Sequence, residues 1–188
     1  QGDVLSDREM RPDGVGLKHH AEPALLRVAP DTAGVWPLLG MSASLGRMFA
    51  PEHDRPAAAP VVVLSDATWR KQFAADPNIL GRVIELDNRA YEVLGVMPAS
   101  FKFWAADAWI PAGLESESDF MQSRVMRTGG FVVGRVKQDV AFATAQQELE
   151  VLSAQLAQQF PDTNTGVGAN IQRLTESVVS NIRPSLLL

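Results

Sequence analysis

The chain's three histidines, His19, His20 and His53, carry most of its potential for metal binding or base chemistry. His19 and His20 are adjacent, so on a strand or a helix their rings point in different directions. A shared metal would need a third ligand, which His53 with its neighbours Glu52 and Asp54 could supply. No His-x-His, His-Glu-x-x-His or carboxylate-rich loop spacing accompanies them, however. The preferred reading is histidines in solvated loops. Ser65 stands between an apolar run and a helical pattern, in outline like a nucleophile elbow. Its flanks are Leu64 and Asp66 in place of the Gly-x-Ser-x-Gly that a tight elbow requires. A helix N-cap suits it better. Gly-Arg pairs occur in "GRVKQD" and "LGRMF", but no Gly-x-Gly-x-x-Gly or Walker loop surrounds them, so nucleotide binding is not expected. Glu148 and Glu150 fall on the polar side of a helical pattern. The expectation is a chain with no catalytic residue, no cofactor-binding residue, no metal ligand and no cofactor.

The bulk composition agrees. The chain has 188 residues, 46% of them hydrophobic, enough for one large domain or two small ones sharing a core. A net charge of -5 without runs of like charge argues against a nucleic-acid surface. The absence of cysteine removes disulfides, thiolate nucleophiles and Cys-based metal sites, without selecting a compartment. The sequence ends "RPSLLL", which reads either as a frayed tail or as the first residues of an apolar segment at a membrane boundary.

The elements that would position these residues can be read along the chain. Residues 1–24 suggest a short strand or two with loops. "LLRVAP" (Leu25–Pro30) predicts one short strand. Asp31 or Thr32 could cap a short helix through "AGVWPLLG", stopped by Gly40 and limited or kinked by Pro37. Four prolines from Pro37 to Pro60 forbid a long helix there, and "SLGRMFAPEHDRPAAAP" reads as loop. "VVVL" (Val61–Leu64) has the continuous β-branched character of a buried strand. A helix capped by Ser65 or Asp66 follows, with Trp69 and Phe73 on one face and Asp76-Pro77-Asn78 as its end.

"NILGRVIELDNRAYEVLGVMP" (Asn78–Pro98) predicts a β-hairpin. Ile84 and Leu86 share one face, Tyr91 and Val93 share a face of the next strand, and Asp87-Asn88 forms the turn. "DAWIPA" (Asp107–Ala112) predicts another short strand, and residues 113–128 a loop or surface helix. A strand from Phe131 to about Lys137 leads into a helix of about 20 residues, about 30 Å long. Phe142, Ala145, Leu149, Leu152, Leu156 and Phe160 form its apolar stripe, expected to be core, and Pro161-Asp162 stops it. "GANIQRL" (Gly168–Leu174) reads as a strand, which would complete a βαβ or split-βαβ unit.

Three stretches together carry a resemblance: "LLGMSASLGRMFAPEHD" (Leu38–Asp54), the stretch Pro60–Phe103, and "FVVGRVKQDVAFATAQQELEVLSAQLAQQFPDTNTG" (Phe131–Gly166). In order and spacing they resemble the MacB-like periplasmic core domain of ABC-transporter permeases of the MacB/FtsX class, over residues 25–188. Residues 1–24 match poorly. The resemblance implies an α/β (α+β) fold in two lobes. A porter-like lobe would comprise residues 1–45 and 128–188, and an inserted smaller α/β lobe residues 46–127. It implies a non-catalytic domain facing the periplasm from the inner membrane, between two transmembrane helices. The partners implied are those helices, a permease dimer, an ATPase subunit or domain, and a periplasmic adaptor protein; nucleic acid is not among them. One departure is local. Family members usually place a hydroxyl residue at the start of the long helix, where Ala141 stands, so Asp139 or Gln138 is expected to cap it. The rival reading is a stand-alone periplasmic module that recognises a peptide, lipid or protein along an exposed edge of the inserted lobe.

Overall fold

In the computed structural model the described residues are 3–5, 15–18, 24–101, 106–115 and 131–174. They fall in two compact units, Gln1–Arg135 and Val136–Leu188. His19, His20, the greater part of 113–128 and the C-terminal "RPSLLL" lie outside the described residues.

The first unit is built on a mixed sheet. Its strands in chain order are β1 (Asp3–Leu5), β2 (Val15–Lys18), β3 (Ala24–Leu26), β4 (Val28–Asp31), β5 (Leu45–Gly46), β6 (Val61–Leu64), β7 (Val83–Leu86), β8 (Arg89–Val96), β9 (Ala108–Pro111) and β10 (Phe131–Val133). Among the described residues the order across the sheet is β10-β1-β4-β9-β6-β8-β7-β2-β3, with β5 beside β8. β4 runs parallel to β9 and β6 parallel to β8; the remaining pairs are antiparallel.

β6 explains why a continuous apolar run was needed. All four of its residues are buried. Because side chains alternate, Val62 and Leu64 enter one apolar cluster, with Phe73, Ile79, Ile84, Leu86, Tyr91 and Val93. Val61 and Val63 enter a second, with Val35, Trp36, Phe49, Met97 and Trp109. Helix α1 (Val35–Leu39) contributes to the second cluster and helix α2 (Asp66–Phe73) to the first. A strand with apolar packing on both faces has no polar side to alternate with. Between Val62 and Val63 the β6–β8 register shifts, a bulge. β8 is rephased there, so Val93 and Val96, three apart, both reach the first cluster while Leu94 reaches the second.

The hairpin forms as its alternation requires. Leu86 pairs with Arg89 and Ile84 with Tyr91. Ile84, Leu86, Tyr91 and Val93 are all buried. Asp87 and Asn88 take φ of 47° and 66°, the left-handed pair of a two-residue turn that matches strand twist. Ser65 caps α2: its side chain accepts the Thr68 N–H.

Several local expectations are corrected. "LLRVAP" is two strands, because at Arg27 the backbone leaves β3 to exchange bonds with Asp107. Arg27 N–H donates to Asp107 Oδ2 at 2.9 Å, and Asp107 N–H to Arg27 O at 2.8 Å. α1 starts after Gly34, with no side-chain cap, and Asp31 lies buried in β4 instead of capping it. Pro37 then falls in the first turn, where its missing N–H breaks no helical bond. Gly40 does end α1, in the left-handed conformation at φ 66°. α2 ends before Asp76, because Ala74 and Ala75 turn left-handed at φ 51° and 54°. β10 stops at Val133, short of Lys137.

The second unit contains helix α3 (Phe142–Gln159) and the short helix α4 (Pro161–Asn164). The long periodic helix is present, but Ala141 is its N-cap and makes no side-chain bond, so neither Asp139 nor Gln138 caps it. Its apolar stripe is not core: no residue of α3 is buried, and Leu152 is 52% exposed. α3 ends at Gln159, just ahead of Pro161-Asp162 as expected, and Pro161 opens α4, where proline is suited to the first helical position. "GANIQRL" is not a strand, so the expected strand–helix–strand unit is incomplete among the described residues. No helix among the described residues is long and apolar enough to cross a membrane.

Candidate functional site

Among the described residues, Ser65, His53 and Asp54 are engaged in holding backbone. Ser65 Oγ accepts the Thr68 N–H at 3.0 Å and donates to Thr68 Oγ1 at 2.8 Å. These bonds fix α2's first turn, and neither partner is a base. His53 folds back on its own loop: Ala50 N–H donates to His53 Nδ1 at 3.1 Å, and Glu52 Oε1 stands 4.0 Å away. Glu52, His53 and Asp54 do not converge, because Asp54 turns to other partners. Among the described residues no group of three or more His, Asp or Glu side chains is placed to hold a metal ion.

Asp54 joins two turns. Its Oδ2 accepts the Ala33 N–H at 2.8 Å, and its Oδ1 accepts the Gly113 N–H at 2.6 Å. The first donor lies just ahead of α1 and the second just past β9, so one carboxylate ties the exits of the parallel pair β4 and β9. Gly113 is required by the closeness of this approach, since a Cβ there would collide with the backbone of Asp54. Asp31, at the end of β4, is 2% exposed. Burial, reinforced by repulsion from Asp54, pushes its carboxyl up to about 7.

The second apolar cluster is aromatic at its centre. Trp36 meets Phe49 edge-on at 5.4 Å and Trp109 at 6.1 Å, and Phe101 meets Trp109 at 5.4 Å. The indole N–H groups of Trp36 and Trp109 are buried without an N or O acceptor among the described residues. The edge-to-face ring packing around them offsets part of that cost.

In the second unit Gln146 is the most engaged polar side chain of α3. Its Oε1 accepts the Ile171 N–H at 2.9 Å. Its Nε2 donates to Ala169 O at 3.1 Å and to Glu150 Oε1 at 3.0 Å. One turn earlier, the Arg173 guanidinium lies 4.8 Å from the centre of the Phe142 ring.

The sequence reading placed Ser65 correctly at a helix start, weighed Asp54 only as a neighbour of His53 in a disfavoured metal site, and found no role for Gln146. For Asp54 the available signal was an Asp in a proline-rich loop with no helix to cap. For Gln146 there was none, because a glutamine on a polar helix face is ordinary.

A family model described as the MacB-like periplasmic core domain matches residues 15–152. The macrolide export ATP-binding/permease protein MacB of Burkholderia thailandensis is 32% identical over 120 residues, which are 62% of this chain and 18% of that protein. The chain thus spans under a fifth of that relative's length. The periplasmic region of MacB from Actinobacillus actinomycetemcomitans has the same fold, with a TM-score of 0.58 at 18% identity, over 87% of this chain and 67% of that one. The extracellular domain of the ABC-type transporter YknZ from Gram-positive bacteria aligns with a TM-score of 0.55 at 15% identity, over 81% of this chain and 75% of that one. The mixed α/β architecture is therefore shared with the external domains of MacB- and YknZ-type transporters, and with a family match over most of its length the chain belongs to the MacB-like periplasmic core domain family.

Proposed function

We propose that this chain is the extracytoplasmic domain of an ABC-type permease in the inner membrane. In this reading it has no catalysis of its own and transmits conformational change from flanking membrane helices to substrate or partner proteins. Family membership carries the reading. The engagement of Ser65, His53 and Asp54 in capping and turn-joining supports it, because a residue set spent on rigidity suits a domain that moves as a body. A dimeric permease, an ATPase subunit or domain, and a periplasmic adaptor are its proposed partners, and export is the proposed direction by analogy with the named relative. The proposal includes the two-lobe division, residues 1–45 with 128–188 and residues 46–127, with both lobes carried along in one rigid displacement. Nucleotide would bias two arrangements of the membrane helices, and the external body would amplify the difference.

The test is made in the intact permease with its ATPase. Replacing residues 24–174 by a short flexible linker should abolish macrolide efflux while leaving membrane insertion and basal ATP hydrolysis in place. Efflux that survives the replacement would refute the transmission role.

A recognition module is the second reading. It is favoured by an edge outside the inserted lobe where it was expected: β3 ends the sheet among the described strands and presents Leu25 at 71% exposure. Binding of a peptide that protects the backbone amides of β3, in a protein with no associated ATPase, would favour it over the permease.

A further inference from the structure

The stretch from Gly168 to Leu174 has a strand's composition, yet among the described residues no strand pairs with it. One side chain takes that place. The carbonyl of Ala169 and the N–H of Ile171 flank Asn170 on the same side of the chain, the two groups that a neighbouring parallel strand would meet with the N–H and C=O of a single residue. Gln146 meets both with its carboxamide, donating to Ala169 at 3.1 Å and accepting from Ile171 at 2.9 Å. A carboxamide carries the donor and acceptor of a peptide group in the same plane. Its orientation is set by a third bond, from Nε2 to Glu150 Oε1 at 3.0 Å, because an inverted amide would face two acceptors with its oxygen. The neighbouring hold, Arg173 against Phe142, lies on the same helix face, since positions 142 and 146 are one turn apart. Ile171 is half-buried, while residues 165–170 are exposed.

We propose that Gln146 is a side-chain latch that holds segment 168–174 on α3 in place of a strand, and through which a displacement of that segment passes to the helix. A sheet ladder would have to break bond after bond; here both backbone bonds end on one rotatable side chain. The segment can therefore leave α3 without unravelling the helix. The mechanical half of the proposal rests on the permease reading above, in which the chain beyond this segment leads towards a membrane helix. The latch itself does not depend on that reading.

Amide hydrogen exchange on the 188-residue chain tests the latch. Gln146→Met keeps helix propensity and approximate volume but removes the amide. It should speed exchange at Ile171 by about tenfold, while the amides from Leu152 to Leu156 keep their rates. Unchanged exchange at Ile171 would overturn the latch, and so would equal acceleration along α3. In the intact permease the same variant should lower efflux and retain ATP hydrolysis. Normal efflux from a variant whose Ile171 has lost protection would overturn the mechanical half and leave the permease reading standing. Absence of efflux from the unsubstituted permease would remove that reading and the mechanical half with it.

Discussion

The Asp54 carboxylate accepts the Gly113 N–H at 2.6 Å across 59 residues of sequence, while its other oxygen holds Ala33. A single side chain thus fixes the spacing between the turn that opens α1 and the turn that follows β9. Asp54→Ala should cost about 2–3 kcal/mol, since two donors lose a charged acceptor. Gly113→Ala should cost a comparable amount by forcing the two turns apart. Urea denaturation of both variants checks this; a loss below about 0.5 kcal/mol in either would show the junction to be incidental.

Asp31 sets an expected pH dependence. Its folded carboxyl titrates at about 7 against 3.8 for the unassisted group, because burial disfavours its charge and Asp54 repels it. The folded state therefore holds the proton more tightly than the unfolded state. Stability from this group is fully present below about pH 4, falls as pH rises towards 7, and is level above that. Asp31→Asn should raise the melting temperature at pH 8 and change it little at pH 4. A variant equally altered at both pH values would contradict the assignment.

Ser65 is the N-cap of α2. Ser65→Ala should destabilise the fold by about 1 kcal/mol, and Ser65→Asp should recover most of the loss. Chemical denaturation of the two variants measures it. Ester or peptide hydrolysis by the purified chain that disappears in Ser65→Ala would contradict the structural role.

Ala74 ends α2 in the left-handed region at φ 51° and is exposed. Glycine takes this conformation without the Cβ penalty, so Ala74→Gly should stabilise the protein by about 0.5–1 kcal/mol. A lower melting temperature for this variant would place the helix end elsewhere.

Elements with strong local patterns were readable from sequence, and those set by distant partners were not. Val61–Leu64, the Ser65 cap, the Asp87-Asn88 hairpin and the Phe142–Gln159 helix each rest on alternation, periodicity or a cap within a few residues. Arg27 broke one expected strand in two because Asp107, 80 residues away, draws its backbone aside. Asp31 reads as a helix cap in sequence and lies buried in a strand, because β9 pairs with it. "GANIQRL" carries strand propensity, but its partner is the side chain of Gln146, and propensity says nothing about what a strand meets. The α3 stripe was legible as apolar but not as buried, because periodicity shows a face and not its cover.

The central claim is that the domain moves as a body when its ATPase turns over. The chain has no cysteine, so a single cysteine placed at the exposed Leu25 gives one spin label per domain. Electron–electron double resonance between the two labels of a permease dimer should give one distance distribution without nucleotide and a displaced one with ATP bound. A distribution that stays the same in every nucleotide state, in a permease that hydrolyses ATP, would contradict the account.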